Sequence, residues 1–159
     1  AGAAATMTAA PEVTVRVPLA TVSSARSALL HIRRTNGTLG LFHDAARAPF
    51  LRWDSAFERS LQRAWWAAGQ PAVAARWRLQ WEDTGDPVDL VEGPSAGLAV
   101  ALAVARLVDP DRFPEDARWS VTGAIDESGT TASLLAAGGR FAEFWSQQHA
   151  AGAWRLGAR

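Results

Sequence analysis

Gly93-Pro94-Ser95-Ala96-Gly97 is the stretch whose residue types and spacing carry the most chemistry. The serine stands between two glycines that permit close backbone approach, directly before the apolar run Leu98 to Val108. If that run is a helix, its first N–H groups are free to stabilise an oxyanion, and Ser95 is placed as a nucleophile. Placement alone does not activate a hydroxyl, because a neighbouring base must take its proton. The plainer reading of the same residues makes Ser95 a helix N-cap.

The elements that must position this segment are readable on both sides of it. Val13 to Val17 alternates apolar and polar residues, Ala28 to Arg33 has strand composition, and Asn36-Gly37 is a turn signal before Thr38 to Phe42; together they predict an antiparallel β-meander. Phe57, Leu61, Ala64, Trp65 and Ala68 recur at helical spacing from Ser55 to Ala68, with Asp54 or Ser55 as N-cap and Gly69 and Pro71 as stops. Arg76 to Trp81 predicts a strand with Trp77, Leu79 and Trp81 on one face and Arg76, Arg78 and Gln80 on the other. Such an arginine face beside tryptophans is one way to bind single-stranded nucleic acid, and it is also the pattern of a half-buried strand with Trp in the core. Val88 to Val91 is a short apolar segment, and Leu98 to Val108 is apolar on nearly every face, which predicts a buried helix. Trp119 to Ile125 reads as a strand, Asp126 to Gly129 as a turn, Thr130 to Leu135 as a returning strand, and Arg140 to His149 as a helix opened by Gly138-Gly139. Ala1 to Ala10 reads as a flexible tail, with Ala1 to Thr6 a cloning scar before a native start at Met7; residues 11–159 read as one α+β domain, a sheet layer with helices against it.

Composition narrows the chemistry. The 159 residues contain 16 basic and 16 acidic side chains, so no net charge draws the chain to phosphate, and nucleic acid is an unlikely partner. All the basic residues are arginine; with no lysine, no mechanism that needs a lysine amine operates within this sequence. There is no cysteine and therefore neither a disulfide nor a thiol nucleophile. His31, His43 and His149 are too scattered to suggest a metal site, and the acidic Asp109–Asp116 loop lacks calcium-loop spacing, so neither a metal nor a cofactor is expected. The longest apolar uncharged run, Gly93 to Ala105, is short of the roughly 18–20 residues of a membrane span, and the reading expects a cytoplasmic chain. The adjacent Trp65 and Trp66 cannot share one helix face, so one of them is a candidate partner contact.

Two family patterns contain a Gly-x-Ser-x-Gly. The first is the nucleophile elbow of α/β-hydrolases, for which Ser95, Asp116 or Asp126, and His149 follow in the required order, although the chain is short for that fold. The second is closer. Gly93 to Gly97 before a long apolar helix, then Val121-Thr122-Gly123-Ala124-Ile125 and Gly138-Gly139, resembles the proteolytic domain of the Lon protease family from about Val13 onward. That resemblance implies a ribosomal-protein-S5 domain 2-like α/β layered fold and a Ser-Lys dyad served by an ATPase module on another chain or an omitted region. It assigns Ser95 to the nucleophile and Thr122 to a position near the dyad, with Gly93, Pro94, Ala96 and Gly97 as the binding loop. The lysine position falls on Glu143 or, counted without a gap, on Arg140. Arginine does not give up its proton, and a carboxylate needs substantial burial to act as the base. Ala124 also stands where the family carries glutamate. The resemblance therefore implies a pseudopeptidase that serves a larger protein as an interaction or substrate-recognition module. Its alternatives are an active serine endopeptidase with a non-lysine base and a nucleic-acid-binding module. The expected partner is a protein or polypeptide, with a homo-oligomer as a further expectation.

Overall fold

The computed structural model describes residues 11–21, 23–110 and 120–125. Strand β1, Glu12–Ala20, buries Val13, Val15, Val17 and Leu19 and leaves the intervening residues at least partly exposed, the period-two pattern of a sheet with one face on the core. A short turn, in which the Thr21 N–H donates to the Ser24 carbonyl at 2.6 Å, returns the chain into β2, Ala25–Thr35. The antiparallel register sets Val13 opposite Ile32, Val15 opposite Leu30 and Val17 opposite Ala28. Each apolar pair therefore falls on the same side of the sheet.

The expected meander is corrected at its third strand. β3, Gly40–His43, does not pair with β2; the order is β1-β2-β5-β3, with β5, Ala74–Trp81, between them. β5 runs antiparallel to β2 and places Trp77 opposite Ile32 and Leu79 opposite Leu30. β3 lies parallel to β5, with His43 level with Trp77. The reason lies in the connection and the lengths. A helix separates β3 from β5, and a helical crossover delivers its next strand parallel to the first. The eight-residue β5 offers β2 a longer apolar row than the four-residue β3 does. Two further segments, β4 (Arg52–Trp53) and β6 (Leu90–Val91), form a small parallel pair that no periodicity announces.

Helix α1, Ser55–Ala67, begins at Asp54, whose carboxylate accepts the Phe57 N–H at 2.8 Å, and buries Phe57, Ser60, Leu61, Ala64 and Ala67. The chain leaves it through Gly69, which adopts the left-handed φ of 91°. Helix α2, Gly97–Val108, buries every residue except Arg106 and Val108. It packs on β1 and β2 from one side and on α1 from the other, which accounts for its lack of a polar face. Leu98, Leu102 and Leu107 alone each contribute about 1.5–3 kcal/mol through burial.

The strand expected over Trp119 to Ile125 is reduced, within its described part, to one parallel bridge between Ser120 and Arg16. The Val121 N–H donates to the Arg16 carbonyl at 2.8 Å, and the segment then leaves the sheet edge for the start of α2. The returning strand, the Gly138-Gly139 helix start and the tail Ala1 to Ala10 lie outside the described residues. The described architecture is α+β, a four-stranded mixed sheet and a two-stranded one with two helices.

The polar sheet face is held by charge pairing. Asp44, 1% exposed, accepts from Arg33 Nε at 2.9 Å. Burial works to raise its pKa, but that bond and the charges of Arg33, Arg47 and Arg76 outweigh it and hold the carboxyl below its usual range.

Candidate functional site

The serine loop lies between β6 and α2, and Asp54 fixes it from a distance in sequence. Gly93 takes a left-handed φ of 78°, which turns its N–H toward both carboxylate oxygens of Asp54 at 3.1 Å. The same carboxylate caps α1, so one side chain ties the loop to the helix start. Beyond Ser95 the loop is closed by two backbone bonds with the 121–125 segment. The Gly123 N–H donates to the Ser95 carbonyl at 2.8 Å, and the Leu98 N–H donates to the Gly123 carbonyl at 3.0 Å. Thr122, half-buried, is thereby brought alongside the serine loop.

This arrangement changes two expectations. Ser95 is not the N-cap of α2; Ala96 occupies that position in a helical conformation, and no side chain caps the helix. The free donors at the helix start are also partly spent, because the Leu98 N–H is taken by Gly123 rather than aimed at open space. Ser95 itself is exposed, as is Pro94, whereas Ala96 and Gly97 are buried. Gly97 lets α2 approach α1 closely, since a Cβ there would sit 3.4 Å from Ser60 Cβ.

Ser95 and Gly93 open onto a cleft of about 750 Å³ with Arg52, Asp54, Trp81, Asp89, Leu90 and Glu92 among its other walls. Three carboxylates face one guanidinium there. Among the described residues no histidine lines it and nothing hydrogen-bonds the Ser95 hydroxyl, so no described base is in contact with it. Glu143 and Arg140, the two residues at the lysine position, lie outside the described residues, as do Asp116, Asp126 and His149. Among the described residues, no cluster of three His, Asp or Glu side chains is placed to hold a metal ion. No helix among them is long and apolar enough to cross a membrane.

The Arg-Trp strand folds as its alternation predicts, with Trp77 and Leu79 buried and Trp81 half-buried. Its arginines are engaged internally: Arg76 donates to the His43 carbonyl at 3.3 Å, and Arg78 donates to Gln80 Oε1 at 2.9 Å. Arg26 stacks over Trp81 at 4.1 Å from the ring centroid while pairing with Asp83. On α1, Trp66 is 48% exposed while Trp65 is half-buried, as adjacent helix positions require.

A second concave site was not singled out by any pattern along the sequence. His43, Trp53, Phe57 and Trp77 come from four elements and meet with ring centroids 4.9–5.3 Å apart. Burial depresses the His43 pKa, against the pull of Asp44, and leaves the ring uncharged at neutral pH. The abundance of tryptophan, 8 residues, was the one available signal.

No protein-family profile matches the chain. Segments of it are similar to one kind of protein. The chain is 59% identical over 76 residues to the mycobactin import ATP-binding/permease protein IrtB of Mycolicibacterium smegmatis, a match covering 46% of this chain and 13% of that protein. It is 46% identical over 67 residues to the corresponding protein of Mycolicibacterium thermoresistibile (41% of this chain, 10% of that one), and 41% identical over 59 residues to that of Mycobacterium bovis (37% and 9%). The chain thus spans about a tenth of the length of the curated relatives it matches. These matches correct the resemblance to the Lon protease family, and with it the pseudopeptidase reading and its peptidase and nucleic-acid alternatives: the relatives are named as import proteins that bind ATP, and none as a peptidase. A serine loop before a buried helix is a local solution to a tight, glycine-flanked turn, and it carries no peptidase assignment by itself.

Proposed function

We propose that this chain serves an ATP-binding/permease importer as a polypeptide-contacting module on its cytoplasmic side, with the nucleotide site lying outside these 159 residues. The observation that carries this reading is the 59% identity over 76 residues to a mycobactin import ATP-binding/permease protein. The absence of lysine supports the division of labour. A Gly-Lys-Ser/Thr phosphate loop cannot be written in this sequence, so an ATP site of that type lies outside these 159 residues. The cleft beside Ser95 supports a polypeptide partner, since Leu90, 45% exposed, and Trp81 offer apolar contact beside the carboxylates of Asp54, Asp89 and Glu92. That composition suits an arginine- or lysine-bearing segment.

The test is retention of the detergent-solubilised Mycolicibacterium smegmatis transporter on immobilised chain, with its ATPase rate followed in parallel. Stoichiometric retention that weakens at least about tenfold in Asp89→Arg/Glu92→Arg supports the proposal, in line with the cost of placing like charges across an interface. Absence of retention, or ATP hydrolysis by the chain alone, overturns it.

A further inference from the structure

The aromatic site is a cavity of about 350 Å³ between β3, Trp53 and α1, at the small end of the range for ligand pockets. Trp77, 1% exposed, forms its floor. Trp53 stands at 70° to Trp77 with centroids 5.3 Å apart, and His43 lies 5.0 Å from Trp53 and 4.9 Å from Trp77. Rings at such angles meet as walls of a corner rather than as a stack, and Trp65 and Phe42 extend the lining. The face of each ring carries negative charge density.

Glu58 is the one charged residue in the lining. Its Oε2 accepts the Trp53 indole N–H at 2.6 Å, which fixes both side chains, while among the described residues no hydrogen bond occupies Oε1. His43 Nε2 is buried without a partner. Every lining group is therefore apolar, uncharged or negative. Among the described residues no arginine lines the pocket, and Arg76 donates to the His43 carbonyl at 3.3 Å.

We propose that this pocket binds a quaternary ammonium group, carried by a small solute or by a trimethylated lysine side chain. A plain ammonium brings three N–H donors, and the ring faces and leucines that form most of the lining accept none of them, leaving Glu58 and Gln62 as the exposed acceptors. A methylated ammonium has no N–H to satisfy; its charge is spread over an apolar skin that suits ring faces, and Glu58 balances it. This site is distinct from the serine cleft and does not depend on the transporter reading.

The test follows the indole N–H resonances of the whole chain by NMR during titration with choline, with a trimethyl-lysine peptide, and with 3,3-dimethyl-1-butanol, the neutral isostere of choline. Saturable shifts of the Trp53 resonance by either cation, with the isostere about 5- to 30-fold weaker, support the proposal, and the tighter cation identifies the source. Glu58→Gln keeps an acceptor for Trp53 and is expected to weaken the cation several-fold while leaving the isostere unchanged. Trp65→Leu weakens the cation without loss of the fold, read by its unchanged circular dichroism. Equal binding of cation and isostere, or no saturable shift with either cation, overturns it.

Discussion

Replacing Asp54 with alanine removes two attachments at once. The carboxylate caps α1 through the Phe57 N–H at 2.8 Å, and loss of such a cap costs about 1 kcal/mol. It also holds the Gly93 N–H at 3.1 Å; with that donor half-buried, the lost bond costs about 0.5–1 kcal/mol more. The summed loss of roughly 2 kcal/mol corresponds to a fall in Tm of about 4–8 °C for a chain of this size. Asp54→Asn retains the accepting oxygen and loses only the favourable charge at the helix start, about 0.5 kcal/mol. Thermal unfolding at pH 7 followed by tryptophan fluorescence reads the stability. Amide exchange at Phe57 and Gly93 separates the two attachments, since both should lose protection in Asp54→Ala. An asparagine variant as unstable as the alanine one would refute the capping argument. Exchange at Gly93 that stays at its parental rate while Phe57 loosens would refute the tether between the serine loop and α1.

Three other substitutions probe the polar face of the sheet and the contact between the two helices. Asp44→Asn should cost about 2 kcal/mol through its bond to Arg33. Because the folded pKa of Asp44 is depressed, its contribution is complete above about pH 4 and is lost as pH falls through the lower folded value, so the variant's urea midpoint should depend less on pH in that acid range. Gly97→Ala places a Cβ at van der Waals contact with Ser60 and should gain about 0.5 kcal/mol from helix propensity, whereas Gly97→Leu drives further atoms into Ser60 and should cost about 2 kcal/mol. Urea midpoints measure both, and a tolerated leucine would show that α1 and α2 are not closely apposed there.

What the sequence revealed depended on the range of the interaction. α1 was legible from its start at Asp54 to its stop at Gly69, because spacing and caps are local. The all-apolar Leu98 to Val108 announced a buried helix, and the Arg-Trp alternation gave the faces of β5 correctly. The placement of β3 was not legible: which strand neighbours β2 depends on the crossover through α1 and on row lengths that no local pattern encodes. Ser95 stands in the glycine-flanked turn that the pentapeptide announced, but the neighbours of that loop could not be read, since Asp54 holds Gly93 from 39 residues before and Gly123 holds Ser95 from 28 residues after. The aromatic pocket was hidden for the same reason, with walls drawn from β3, β4, α1 and β5. The family resemblance, drawn from about Val13 onward on the serine pentapeptide, the Thr-Gly segment and the Gly-Gly pair, failed because short glycine-rich motifs arise from turn geometry in unrelated proteins, and the relatives matched over 76 and 67 residues are named as import proteins.

The burial of α2 on both sides has a consequence for the order in which the molecule is made. Every described strand of the main sheet and the whole of α1 precede α2 in the chain. On a ribosome, roughly 70 residues separate the end of β2 from the end of α2, about 4–14 s of elongation. Throughout that interval the valines of β1 and the leucines of β2 have sheet partners but nothing to cover their faces. The nascent chain is then most in need of a holding chaperone, and a pause or truncation before Gly97 would release it with that apolar surface open to its neighbours.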